Sequence, residues 1–140
     1  MTVVELMKTH IVKISPDASL QDAVDMFDLY QLTSLPVVDS DGFPLGLVTE
    51  HRIASELIPG FIANSGMSTS RHEEPGKGGI AVRDLMITPP LVVDENVDVL
   101  DAAKIMNEND LERLPVTTEG RVIGTISRID ICQAILEGHS

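Results

Sequence analysis

The sequence predicts an α/β (α+β) fold made of two βαββα units packed about a pseudo-twofold axis. The first observation behind this is a tandem repeat. Val3-Val4-Glu5-Leu6-Met7 returns 79 residues later as Val82-Arg83-Asp84-Leu85-Met86, and the register holds through Leu35-Pro36-Val37 against Leu114-Pro115-Val116. One residue is then lost in the turn, so that Gly42 and Gly46 meet Gly120 and Gly124. The second observation is that each copy alternates short β-branched runs with stretches of helical periodicity. The third is size: a half of about 55 residues buries too little surface to stand alone, so the halves must share a core and leave equivalent clefts on either side.

Taken in order, each copy opens with a short apolar run, residues 11–14 or 91–93, too brief for a helix and rich in β-branched residues; a strand is expected there. Ser19-Leu20-Gln21-Asp22 and Asp98-Val99-Leu100-Asp101 have the cap-x-x-acid form of a helix start. Leu20, Ala23, Val24 and Phe27, and in the copy Val99, Ala102, Ala103 and Met106, follow at helical spacing and predict one buried face each. Residues 35–38 and 45–48 flank an Asp-Gly-rich turn and read as an antiparallel strand pair, as do 114–117 and 122–126 around Glu119-Gly120. A second helix begins near Thr49 or Ser127 and is expected to end before Pro59-Gly60 or Gly138. The units are thus assigned to residues 1–60 and 80–140. Residues 61–79, glycine- and serine-rich over most of their length, are read as an exposed flexible linker, either a spacer or a partner-binding loop.

Composition narrows the function. With 22 Asp and Glu against 10 Lys and Arg, the chain carries a formal charge of −12, which argues against nucleic acid or an anionic membrane as partner. Any phosphate site must supply its own positive charge. No apolar run approaches the roughly 18 residues that cross a bilayer, and the N-terminus lacks a signal-peptide pattern, so a cytoplasmic protein is expected. The single Cys132 sits among apolar residues and reads as a small buried hydrophobe. His10, His51, His72 and His139 are scattered without metal-ligand spacing, and no nucleophile-base motif or cofactor fingerprint appears; no catalytic residue, metal or required cofactor is assigned.

The chemistry that remains lies around Arg113-Leu114-Pro115 and Ser127-Arg128-Ile129-Asp130. A helix starting near Ser127 presents unpaired N–H groups that attract anions. Arg113 adds a donor fork suited to phosphate, Arg128 and Lys13 add charge at the rim, and Asp130 is placed to accept from ribose hydroxyls. The same Ser127 and Asp130 also form an ordinary capping box that needs no ligand, and Arg113 also reads as a solvated residue. In the first copy Thr49 is kept, but Ser34 replaces Arg113 and Arg52 replaces Asp130. Arg52 near a helix start opposes the helix dipole. It could face an anion, Glu56 or a second chain.

The paired V-x-[DE]-L-M openings, the [DS]-x-x-D-A helix starts, the L-P-V strands and the G-x-x-[TS] elements resemble the tandem cystathionine β-synthase (CBS) domain pair, or Bateman module, over the whole chain except the linker. The resemblance implies a non-enzymatic regulatory module, often binding adenosine compounds between its units. Carried onto this sequence, the intact cleft uses Arg113, Leu114, Pro115, Ser127, Arg128 and Asp130, faced by Met7, Thr9, His10, Ile11 and Val12. A weaker cleft would hold Ser34, Thr49 and Arg52, faced by Thr88, Pro89, Pro90 and Leu91. The expected ligand is AMP, ADP, ATP or S-adenosylmethionine. The expected assembly is a homodimer that changes a surface recognised by an unidentified regulated protein. The alternative is a ligand-independent protein-interaction scaffold.

Overall fold

The computed structural model describes residues 1–65 and 80–138. The first copy forms α1 (Val3–Leu6), α2 (Leu20–Tyr30), β1 (Ser34–Val38), β2 (Pro44–Thr49) and α3 (Glu50–Ser65). The second forms α4 (Val82–Leu85), β3 (Val93–Asp94), α5 (Val99–Glu108), β4 (Arg113–Thr118), β5 (Arg121–Ser127) and α6 (Arg128–Leu136).

The helix starts follow their capping residues. Ser19 Oγ accepts the Asp22 N–H at 3.0 Å while Asp22 accepts the Ser19 N–H at 3.2 Å. Asp98 caps α5 by accepting the Leu100 N–H at 2.8 Å. Such caps each contribute about 1 kcal/mol. The hairpins are antiparallel, β1 with β2 and β4 with β5, and both carry a register shift next to the turn. Gly42 at φ 94° and Gly120 at φ 83° occupy the left-handed turn conformation that other residues adopt only at a cost.

The first strand of each copy is much shorter than expected. Residues 11–13 form no strand, Ile14 makes a single parallel bridge to Val37, and β3 contributes only Val93 and Asp94, parallel to β4. The reason is a crossover. Lys8 exchanges two backbone hydrogen bonds with Thr125 of β5, 2.8 and 2.9 Å, before the chain reaches its own sheet at Ile14. Ile87 does the same with Leu47 of β2, 2.7 and 3.0 Å. A segment that pairs first with the other unit and then with its own cannot lie along one strand.

The crossover also exchanges the short helices. Val3 of α1 is wholly buried in the core built on Val93, Val99, Met106, Leu114 and Ile126, whereas Val82 and Leu85 of α4 enter the core built on Leu20, Phe27, Leu35, Val37 and Ile53. Burial of a valine side chain stabilises by about 1.5–3 kcal/mol, so each unit takes part of its core energy from the other repeat. At the opposite end the two turns touch. The Val122 N–H donates to the Gly42 carbonyl at 3.0 Å, and the Arg121 guanidinium lies over the Phe43 ring.

Three further expectations are corrected. Val24 is 40% exposed, leaving Leu20, Ala23 and Phe27 as the buried face of α2. Cys132 is exposed: in α6 the residues on either side that reach the core are Ile131 and Ala134, which turns position 132 outward. Helix α3 does not stop before Pro59 but runs on to Ser65. Packing does not account for that continuation, since Phe61 beyond the proline is 72% exposed. The remainder of the expected linker, with His72, and also His139 lie outside the described residues. Among the described residues no helix is long and apolar enough to cross a membrane.

Candidate functional site

The strand register sets the two clefts. Arg113 and Ser127 are partners at the open end of the β4–β5 hairpin, as Ser34 and Thr49 are in β1–β2. Ser127 is 8% exposed and caps α6, its Oγ accepting the Asp130 N–H at 3.2 Å. One carboxylate oxygen of Asp130 lies 3.5 Å from Nζ of Lys8, with the two side chains 23% and 64% exposed. Lys8 reaches this position because its backbone is pinned to Thr125. A pair this open contributes about 0–1 kcal/mol and yields readily to a competing ligand.

Lys8 is the residue that motif reading missed. Its repeat equivalent is Ile87, so a change from apolar to cationic at that position was the available signal. It supplies, beside Asp130, a positive charge of the kind a net-acidic chain must place locally to hold a phosphate.

Arg113 is half-buried and lines a small cavity of about 40 Å³ together with His10, Val12, Ser34, Pro115 and Thr125. Ser34 lines the same cavity as Arg113. The side chain of Leu114 points the other way, wholly buried in the core, as strand alternation between Arg113 and Pro115 requires. Met7 packs under Gly124, where its sulfur would stand 2.7 Å from any β-carbon. Thr9 is exposed and Ile11 half-buried on the same crossover segment.

A larger cleft of about 470 Å³ opens beside Thr49, Ile87, Pro89 and Leu91. Arg128 lines this cleft and not the small cavity at Arg113. Arg52 turns toward α4. Its Nε–H donates to the Leu85 carbonyl at 3.3 Å, the last carbonyl of α4. That explains a cation near a helix start: the guanidinium serves the C-terminal end of another helix, where an unpaired carbonyl and the dipole both favour it. Thr49 caps α3, its Oγ accepting the Arg52 N–H at 3.1 Å. Thr88 is exposed and Pro90 half-buried along the wall of this side.

Among titratable groups, Glu5 stands apart. Hydrogen bonds from the Thr2 backbone N–H and hydroxyl, both 2.9 Å, hold its carboxyl below the usual glutamate range. No cluster of three His, Cys, Asp or Glu side chains among the described residues is placed to hold a metal ion.

The comparisons with known proteins agree with this architecture. CBSX1, a chloroplastic CBS domain-containing protein of Arabidopsis thaliana, is 30% identical over 142 residues, covering 91% of this chain and 59% of the relative. The chain thus spans about three-fifths of that protein's length. An uncharacterised protein of Methanocaldococcus jannaschii is 26% identical, with 97% of this chain and 92% of the relative covered. The crystal structure of the Arabidopsis protein CBSX2 in complex with AMP superposes with a TM-score of 0.75 at 28% identity, over 97% of this chain and 96% of that one. The CBS-domain sequence profile matches twice, over residues 3–59 and 82–137. With two copies and the reciprocal crossover that joins them, the chain belongs to the CBS-domain family as a tandem CBS pair.

Proposed function

We propose that this CBS pair is a non-catalytic regulatory module that binds an adenine nucleotide, or a related adenosine compound, beside Arg113, Ser127 and Asp130. The observation that carries the reading is the convergence on one hairpin end of Arg113, the capped start of α6 and the Asp130 carboxylate with Lys8 from the other unit. Arg113 and Lys8 would meet phosphate oxygens, and Asp130 would exchange its weak ion pair for ribose hydroxyls. CBSX2, related across nearly the whole chain, was crystallised with AMP. This makes AMP the first ligand to try before ADP, ATP and S-adenosylmethionine, with one nucleotide per chain expected.

The crossover supplies a route from occupancy to response. Residues 7–12 form one wall of the cleft and continue directly from α1, which is buried in the opposite unit. A ligand that favours one spacing of the two units shifts their relative angle, and with it the exposed surface. Leu29 and Tyr30 on α2 and Ile129, Ile135 and Leu136 on α6 are exposed apolar side chains suited to an isologous homodimer or to a regulated partner.

A second reading has its own observation in favour. Ser127 is satisfied by its capping bond and Asp130 by Lys8, so the set is stable without a ligand, as an interaction scaffold requires. Calorimetric titration of the wild type and Asp130→Ala with the four ligands separates the two readings. Binding that weakens at least tenfold in the variant supports the sensor. Absence of binding by every ligand supports the scaffold, and equal affinity removes Asp130 from the site.

A further inference from the structure

We infer that Ser34 is a specificity-determining residue: the cavity it shares with Arg113 seats a single phosphoryl group, so that a nucleoside monophosphate is taken in preference to a di- or triphosphate. The inference rests on the reading that the chain binds an adenine nucleotide, and names the phosphorylation state it selects.

The cavity lies on the pseudo-twofold axis, because its lining holds both members of three repeat-equivalent pairs: Ser34 with Arg113, Pro36 with Pro115, and Leu47 with Thr125. Strand alternation turns Leu35 into the core and Ser34 and Pro36 to the cavity. Ser34 is 3% exposed, and its hydroxyl makes no hydrogen bond among the described residues. A buried hydroxyl without a partner is destabilising, and a ligand oxygen would satisfy it. The Arg113 guanidinium likewise makes no hydrogen bond or ion pair among the described residues, and no carboxylate lines the cavity. His10 and Val12 border it from the first crossover, the segment placed on the nucleotide's wall, whereas their repeat equivalents Pro89 and Leu91 line the larger cleft.

Size and charge both set the limit at one group. At about 10–15 Å³ for one water-sized atom, the cavity of about 40 Å³ has room for about three, which matches the terminal oxygens of one phosphoryl group. A second group has no room beside the first, so a di- or triphosphate either leaves part of its chain outside the cavity or lifts its ribose away from Asp130. Each added phosphate also brings negative charge to a chain at −12, with Arg113 the only guanidinium lining the cavity. A second arginine at position 34 would supply charge for more phosphate; serine gives one neutral donor.

AMP, ADP, ATP, adenosine and inorganic phosphate, titrated calorimetrically into the wild type and Ser34→Ala, test the inference. In the wild type AMP should bind at least about tenfold more tightly than ADP, ATP or adenosine. In Ser34→Ala its affinity should fall at least about tenfold, the loss of one hydrogen bond to a charged group, with adenosine affinity unchanged. The urea-unfolding midpoint of the unliganded variant should hold or rise, because the hydroxyl removed has no protein partner. A lowered midpoint, ATP binding as tightly as AMP, or an AMP-to-adenosine affinity ratio unmoved by Ser34→Ala each overturns the inference. The two proposals fail separately. AMP binding that depends on Asp130 but not on Ser34 leaves the nucleotide reading and removes the seat. Binding of inorganic phosphate that Ser34→Ala weakens, with no adenosine compound bound, leaves a seat for free phosphate and removes the nucleotide. No binding by AMP or by phosphate removes both.

Discussion

Gly124 and Lys8 approach so closely that a β-carbon on the glycine would lie 2.6 Å from the Lys8 carbonyl oxygen and 2.7 Å from the Met7 sulfur. Gly46 stands in the same relation to the other crossover, with the Met86 sulfur at 2.8 Å and the Ile87 carbonyl at 2.9 Å. The glycine of each G-x-x-[TS] element is thus the residue that lets the opposite repeat's chain cross the sheet. The crossing backbone is paired at Lys8–Thr125 and Ile87–Leu47 and has little freedom to retreat. Gly124→Ala and Gly46→Ala should each destabilise the protein by about 1–3 kcal/mol, the usual cost of overpacking a closed contact. Urea unfolding reads this directly. A change below about 0.5 kcal/mol, the level of an ordinary surface substitution, would mean that the crossing segment shifts freely.

The opposite end of the unit interface has a contact that a double-mutant cycle isolates. The Arg121 guanidinium carbon is 5.0 Å from the Phe43 ring centroid, and the neighbouring Val122–Gly42 backbone bond does not depend on either side chain. Phe43→Leu and Arg121→Met, singly and together, should show a coupling of about 0.5–1 kcal/mol, as for exposed cation–ring pairs. Additive single effects would leave the backbone bond alone holding the turns together.

Arg52 offers a test of what replaced the acidic residue in the first copy. Arg52→Met keeps the apolar stem and removes the donor to the Leu85 carbonyl. The bond is long and only part-buried, so a loss of about 1 kcal/mol is expected, toward the low end for charged donors. Unchanged stability with weakened AMP binding would instead place the guanidinium on a ligand.

What the sequence made legible was whatever is local or repeated. The caps at Ser19 and Asp98 are settled within three residues of chain, and the two hairpins by apolar strands around glycine-bearing turns; these appear where the patterns put them. What escaped depends on partners distant in sequence. The exchange of α1 and α4 leaves no local trace, since Val3 and Val82 read as equally apolar whichever core receives them. The first strands were overextended for the same reason. Cys132 and Val24 sit at apolar positions whose outward direction is fixed only by how far each helix rotates against its sheet. The repeat register places Arg113 opposite Ser127 and Asp130 one turn into α6, but the destinations of Arg52 and Arg128 follow from three-dimensional neighbours, Leu85 and the larger cleft.

Glu5 supplies a pH dependence with a definite sign. Thr2 lowers its pKa in the folded protein, so its contribution to stability is fully present above the unfolded-state value and is lost as pH falls through the lower folded value. Glu5→Gln should therefore narrow its stability difference from the wild type as pH drops through the carboxylate range. Thermal unfolding across that range checks it; a difference that widens toward acid would reverse the sign. The effect bears on the proposed nucleotide cleft, because Glu5 braces α1, from which residues 7–12 continue.

Ser127 and Asp130 are chosen by a helix start and by a ligand alike, and paired substitutions separate the two demands. Ser127→Ala removes a capping bond and should cost about 1 kcal/mol in the ligand-free protein. Asp130→Asn gives up only the open ion pair with Lys8, about 0–1 kcal/mol. If the pair served α6 alone, AMP would add nothing to the stability of either variant or of the wild type. If the cleft binds AMP, nucleotide at about 100 times its Kd adds about 2.7 kcal/mol to the wild type. At that same nucleotide concentration most of the gain should vanish in Asp130→Asn, although its unliganded stability is nearly intact. The residue that matters less to the fold should thus matter more to the ligand, an inversion that capping cannot produce.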